Sequence, residues 1–385
     1  LLEFSPILKC IFQALSLLTS RWPIASDQAM TKDLRQLVQS VISDRFDIIG
    51  DIHGEIDALR SLLAKLGVDA ERGRADRPLV FVGDLVDRGP DSIAVVELVE
   101  HLIKCGIAQC VMGNHEFNLL RGKIKQGNGW FIPHEQMREG RHPDGWHPIG
   151  ESGRTPFPSR HAEPDDRERI LDFLATLPIA LESKDIRIVH AAWQMEAIQA
   201  ARQSPSLEAF FRQRGTALPE IDLSGAPTLE EMENPAVEIQ FHPGLAQLQL
   251  AAQNEEPAKV LTSGLEQPIG PHKKPRYLSG KWRILERSPW WLHDQDPRAV
   301  VFGHYWRRRP GAQVPGKAEV FDGVGPLDWM GPHKQAFCVD YSVGYRFMAR
   351  HKGHPIGYHG GLAALRWPEK VLIFDDLEET FQTLR

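Results

Sequence analysis

The chain has 385 residues, 42% hydrophobic and 25% charged, enough to bury a sizeable core as one large α/β domain or two smaller ones. A formal net charge of −6 gives no electrostatic reason for tight binding to nucleic acid or an anionic membrane. No run of about 18 uninterrupted apolar residues is present to span a bilayer.

Residues 1–29 are apolar and broken by Arg21-Trp22-Pro23. They read as an extension ahead of a domain that starts near Met30; a secretory signal is the competing reading, which Glu3 fits poorly. Residues 46–49 predict a short buried strand, and 55–66 an amphipathic helix with Ile56, Leu59, Leu62, Leu63 and Leu66 on one side. "PLVFVGD" (78–84) predicts a second strand, 92–104 a second helix, and "IAQCVMGNHE" (107–116) a third strand. From 122 to 165 the composition turns to Gly, Pro, His and charge, which predicts a surface excursion. A helix near 166–176 leads to a fourth strand, "DIRIVHAAW" (185–193). Residues 194–297, punctuated by proline, predict a lid-like insertion before a fifth strand, "RAVVFGHYW" (298–306). The tail runs "KAEVFD", "KQAFCVDYS", "GLAALRW" and "KVLIFDD" predict mostly antiparallel strands that close the sheet. Cys10, Cys105, Cys110 and Cys338 are scattered, with no second pair to complete a zinc site, so free thiols in a reducing compartment, the cytoplasm, are expected.

The first five predicted strands end in polar residues: Asp51 and His53, Asp84, Asn114 and His115, His190, His304. Ligand sites in open α/β sheets form beyond the carboxyl ends of strands, where several loops converge. A mixed Asp, His and Asn set suits divalent transition metals better than calcium or magnesium. Each residue alone is explained as well by a turn or cap; the set is not.

The order Gly-Asp-Ile-His-Gly (50–54), Gly-Asp-Leu-Val-Asp-Arg-Gly (83–89), Gly-Asn-His-Glu (113–116), His190 and Gly-His (303–304) resembles the phosphoprotein phosphatases, within the calcineurin-like metallophosphoesterases. "FCVDYSVG…GGLAALRWPE" is more loosely similar to bacterial members such as the symmetrical diadenosine tetraphosphate hydrolases. The resemblance implies a four-layer α/β/β/α sandwich of mixed sheets flanked by helices, with residues 30–385 as one catalytic domain. It implies two divalent cations, manganese first, with iron, zinc or nickel as alternatives. Asp51 and His53 would hold one, Asn114, His190 and His304 the other, and Asp84 both. It also implies in-line attack by a metal-bridging hydroxide. His115 would act on the leaving group with Asp87 behind it, and Arg88, Asn114 and His115 would bind the substrate phosphate. The expected activity is phosphomonoester hydrolysis on a phosphorylated protein, peptide or nucleotide. Cleavage of phosphoanhydrides in dinucleoside polyphosphates is the alternative, and a non-catalytic metal-binding scaffold the third.

The pattern also departs from the family. Trp306 replaces the second His of the Gly-His-x-His ending of many metallophosphoesterases, and Met112 stands where eukaryotic members carry Arg. The second phosphate-binding arginine has three candidates, Arg276, Arg283 and Arg287. His351, His354 and His359 read as a solvated loop, and the basic run 272–283 as a solvated face. Trp290-Trp291 fits either a substrate wall or core packing.

Overall fold

The structure, a computed structural model, describes residues 36–123, 127–133, 159–213, 221–278, 280–312, 319–355, 357–358 and 360–384. The 1–29 extension, Cys10, the middle of the 122–165 excursion, His359 and the side chain of His351 lie outside the described residues.

The strands in chain order are β1 (Val38–Ser40), β2 (Phe46–Ile49), β3 (Leu79–Phe81), β4 (Ala108–Cys110), β5 (Ala180–Glu182), β6 (Ile186–Val189), β7 (Glu266–Pro268), β8 (Arg276–Leu278), β9 (Lys281–Arg283), β10 (Leu285–Arg287), β11 (Ala299–Phe302), β12 (Ala336–Cys338), β13 (Ala363–Trp367), β14 (Val371–Phe374) and β15 (Thr380–Gln382). One mixed sheet runs β15-β14-β13-β2-β3-β4 and the other β1-β5-β6-β11-β12. Successive side chains on a strand point to opposite faces, so each strand feeds two layers. Ile48, Val80, Val301 and Phe337 meet between the sheets. Their chain neighbours Ile49, Phe81, Val300 and Cys338 point outward into the layers that carry the helices. Burial on both faces is why these strands read as short continuous apolar runs. The result is the α/β/β/α sandwich.

The helices are α1 (Ile56–Lys65), α2 (Ser92–Lys104), α3 (Asn114–Leu120), α4 (Pro164–Leu174), α5 (Met195–Gln203), α6 (Leu207–Phe211), α7 (Leu229–Glu233), α8 (Pro243–Asn254), α9 (Pro257–Ser263) and α10 (Arg346–His351). Helix α1 buries Ile56, Leu59, Leu62 and Leu63, with Asp57 in its first turn and Lys65 in its last, matching the helix dipole. Helix α2 begins where the Asp91 carboxylate accepts from the Ala94 N–H. No helix among the described residues is long and apolar enough to cross a membrane.

Strands β2, β3 and β4 are parallel, as are β6 and β11 in the other sheet, so within each sheet these strands end on the same side. The loops 50–54, 83–89, 113–116, 190–193 and 303–306 therefore share one rim of the sandwich.

The mostly antiparallel closure expected of the tail holds for its last three strands, with one exception. Strands β13, β14 and β15 are antiparallel, and β13 pairs with β2. Strand β12 instead runs parallel to β11, with Ala336 opposite Val300. The long connection between them is a crossover, which returns the chain in its original direction. The run 317–322 is not a strand where it is described. It holds one 3-10 turn, Glu319–Phe321, whose Phe321 stacks on Trp291 at 5.4 Å and fills an aromatic cluster instead of pairing.

The same cluster decides the tryptophan pair. Trp290 and Trp291 are buried against Phe302 of β11, so they are core and no substrate wall. Within 194–297, α9 packs on α5, and buried Arg121, just after α3, pairs with Glu256 at 2.5 Å just before α9. Part of 272–283 forms the exposed hairpin β8–β9. Within the 122–165 stretch, Asn128, Trp130 and Ala162 are buried rather than at the surface.

Candidate metal centre

The rim loops are strained where the expected site residues lie. His53, Asp84, Asp87, Arg88, His304 and Trp306 all have positive φ, between 50° and 73°. Such a conformation costs a non-glycine residue of order 1–3 kcal/mol and persists only where the surroundings dictate it. Two glycines allow the close approach. A Cβ at Gly303 would lie 2.1 Å from Asp51 Oδ1, and one at Gly344 would lie 2.5 Å from His53 Cδ2.

All six expected metal ligands meet here. His53, Asp84 and His115 form one group of donor atoms, and Asp84, His190 and His304 a second, each group within 4.8 Å. Asp84 belongs to both. Its Oδ1 lies 3.3 Å from His190 Nε2, and its Oδ2 lies 3.7 Å from His53 Nε2. Asp51 completes the first side, with Oδ2 4.0 Å from His53 Nε2. Asn114 completes the second, with Oδ1 2.7 Å from His304 Nδ1 and 3.3 Å from His190 Nε2.

The imidazoles are aimed by the backbone. His190 Nδ1 donates to the Val82 carbonyl at 2.7 Å, and His53 Nδ1 donates to that of Val86 at 3.1 Å, which turns both Nε2 atoms inward. Asp51 accepts the His304 N–H at 3.0 Å, tying one sheet to the other. Burial, then neighbouring Asp340, holds the Asp51 carboxyl well above its usual range. Burial and the charge of Arg88 hold His53 well below its ordinary value; burial and Arg287 do the same to His304. Burial would raise Asp84, but His190 and His115 hold it well below. Against the lowering effect of burial, Asp84 pushes His190 up to about 10. Imidazoles aimed at one point, crowded carboxylates and an amide oxygen form a donor set that fits divalent cations.

Beside these six residues, His115 Nδ1 donates to Asp87 Oδ2 at 2.5 Å. Asp87 is saturated behind it. Trp130 Nε1 donates to its Oδ1 at 2.6 Å, and Asn128 Nδ2 donates to both oxygens at 2.9 and 3.0 Å. The Arg88 guanidinium spans the mouth, 2.5 Å from His53 Nε2 and 3.3 Å from His115 Nε2.

Several contributors carry no local signal in the sequence. Asn128 and Trp130 lie in a stretch expected at the surface. Glu116 belongs to the Gly-Asn-His-Glu motif but had no role. It is buried, and it accepts from the backbone N–H groups of Asp84 and Gly113 at 2.9 Å and of Leu85 at 2.8 Å. Burial, then Asp84, lifts it to about 7. In Glu116→Gln the amide NH2 would face a backbone N–H, so a loss of about 2 kcal/mol in folding stability is expected. Denaturant unfolding of the variant against the parent measures it.

Of the three arginine candidates, Arg276 is exposed on β8 and Arg283 is half-buried. Arg287 lies beside the centre, its Cζ 5.1 Å from the ring of Tyr305, and its charge acts on His304. His354 stacks on Tyr358 and belongs to neither donor group.

The model of the calcineurin-like phosphoesterase family matches residues 44–306, more than half of the chain. A bis(5'-nucleosyl)-tetraphosphatase PrpE (asymmetrical) from Halalkalibacterium halodurans is 51% identical over 84 residues, 21% of this chain and 34% of that protein. The protein of the same name from Oceanobacillus iheyensis is 47% identical over 88 residues, 22% of this chain and 34% of its own length. The chain thus matches about a third of the length of these relatives. A crystal structure described as a putative diadenosine tetraphosphatase is 20% identical with a TM-score of 0.37, covering 88% of this chain and 95% of that one. The chain belongs to the calcineurin-like phosphoesterase family.

Proposed function

We propose that this centre hydrolyses phosphomonoesters of alcohols, in the manner of phosphoprotein phosphatases, with two divalent cations, manganese by preference. Asp51, His53 and Asp84 would hold one cation, and Asp84, Asn114, His190 and His304 the other. When bound, such a pair neutralises phosphate oxygens and makes water more acidic. Arg88 offers a planar, permanently charged fork to the same oxygens. Arg287 supplies the second positive side chain, and Asn114 and His115 contact the phosphate from the α3 side. Residues 30–385 act as one catalytic domain with 194–297 as its insertion and 1–29 as an extension. Free Cys105, Cys110 and Cys338 support a cytoplasmic setting.

The observation that carries the choice of monoester is the His115–Asp87 pair. An alcohol departs poorly as an alkoxide and gains most from a proton delivered as the bond breaks; a departing nucleotide phosphate needs far less help. His115 Nε2 faces the mouth, and Asp87, bound by Trp130 and Asn128, stabilises the proton that Nε2 would hand over. A fully organised proton donor fits the difficult leaving group better than the easy one. A scaffold without chemistry would not need that pair.

Dinucleoside polyphosphates are the second reading, favoured by the likeness to the PrpE proteins. One assay separates the two. Manganese-loaded protein is given a phosphoserine peptide and diadenosine tetraphosphate at equal concentration, and products are followed by phosphate release and nucleotide chromatography. Phosphate release from the peptide is expected to be the faster reaction, lost on chelation and restored by manganese. Faster loss of the dinucleotide would transfer the assignment to the second reading. Two ADP, or ATP with AMP, would then tell a symmetrical cut from an asymmetrical one.

A further inference from the structure

We infer that Trp306 is a positioning residue whose indole face holds the Arg88 guanidinium at the mouth of the centre, ready for the phosphate. The inference rests on the reading of Arg88 as a phosphate ligand.

Arg88 needs such a support. Among the described residues its side-chain hydrogen bonds reach two imidazole nitrogens and its face meets one aromatic ring, while Asp84, Asp87, Asp340 and Asp51 act on its charge without forming a direct ion pair. The aromatic face is Trp306, with Arg88 Cζ 4.5 Å from the ring centroid. A guanidinium stacked on an indole is held by its face, so only its edge, which here meets His53 and His115 Nε2, has to exchange partners for a phosphate. A carboxylate in the same place would occupy that edge and cancel the charge. An unsupported arginine would lose rotamer freedom each time it closed on a phosphate, and binding would weaken by that loss.

Trp306 is itself fixed. Its φ is 58°, and its backbone N–H donates to Asp340 Oδ2 at 2.7 Å, the same buried carboxylate that accepts the Ser342 N–H at 2.8 Å. Arg307 N–H donates to the Asp340 carbonyl at 2.8 Å. The Tyr345 ring meets the indole edge-on at 6.0 Å, from the 3-10 turn Val343–Tyr345 whose Gly344 lies against His53. The indole is only half-buried, so core packing does not explain this anchoring. Asp340 sets Trp306, and Trp306 sets Arg88.

The test uses manganese-loaded full chain with Trp306→Leu, Trp306→Phe, Arg88→Ala and the Trp306→Leu/Arg88→Ala double variant. KM and kcat for 4-nitrophenyl phosphate are measured, and orthophosphate binding is followed by calorimetry. Trp306→Leu is expected to weaken orthophosphate and raise KM about tenfold, with a much smaller change in kcat. Trp306→Phe, which keeps an aromatic face, should recover most of that. With Arg88 already removed, Trp306→Leu should add nothing further. Orthophosphate affinity unchanged in Trp306→Leu but weakened in Arg88→Ala would overturn the inference and leave the reading of Arg88 standing. Equal losses from Trp306→Leu with and without Arg88 would also overturn it. No weakening in Arg88→Ala would overturn the reading of Arg88, and the inference with it.

Discussion

Asp84→Asn is expected to lower metal-dependent turnover roughly 10³-fold or more, because both cation positions lose the ligand they share. The substitution keeps shape and removes charge. Asp84 sits at φ 50°, a conformation that asparagine tolerates as well as aspartate, so the loop should keep its course. What changes is the face toward the imidazoles. Asp84 carries two anionic oxygens, one toward His190 and one toward His53, and Oδ1 also accepts the His115 N–H at 3.0 Å. Asparagine keeps one neutral oxygen and presents an NH2 to the other side, so one group loses a donor outright and both lose a negative charge. Metal content by elemental analysis should fall well below two ions per chain, while the melting curve in metal-free buffer stays near that of the parent. Full metal content together with turnover within tenfold of the parent would remove Asp84 from the shared position.

The convergence of the six expected ligands is legible because each lies beside a local signal. A short apolar run, a glycine and a polar residue mark the end of a buried strand, and parallel strands bring those ends to one rim. His53 and His304 could thus be read from their neighbours alone. The support behind them could not. Asn128 and Trp130 reach Asp87 from a polar stretch that looks like surface, and nothing in "GNGW" states which carboxylate it will meet. Asp340 lies more than thirty residues beyond His304, yet β12 runs parallel to β11 and ends beside it. The same crossover makes β12 the parallel exception in a mostly antiparallel tail, because apolar alternation fixes that a strand is buried and says little about its direction. Trp290 and Trp291 were undecided for a related reason. An aromatic pair suits a pocket or a core equally, and only the stack on Phe302 distinguishes them.

His115→Asn is expected to cost about 10²- to 10⁴-fold in kcat on a phosphoserine peptide, and clearly less on 4-nitrophenyl phosphate, whose leaving group is a weak base. The difference between substrates carries more than either loss alone. If His115 delivers a proton to the departing oxygen, removing it must hurt most where that oxygen is most basic. Across a series of alkyl and aryl phosphates, log kcat should then fall more steeply with leaving-group pKa in the variant than in the parent. Burial lowers the affinity of His115 for its proton, but Asp84 and Asp87 outweigh it and leave the imidazole above its ordinary value. Raising the pH through that value removes the proton, so the parent should lose activity on alkyl substrates along an alkaline limb that the variant lacks. Asp87→Asn keeps the imidazole but replaces the anion behind it, and should move the same slope part of the way. Parallel lines for parent and His115→Asn would mean that the residue binds phosphate and transfers no proton. The preference for alcohol leaving groups would then lose its basis, because a site without a proton donor has no chemical reason to favour the ester over the anhydride.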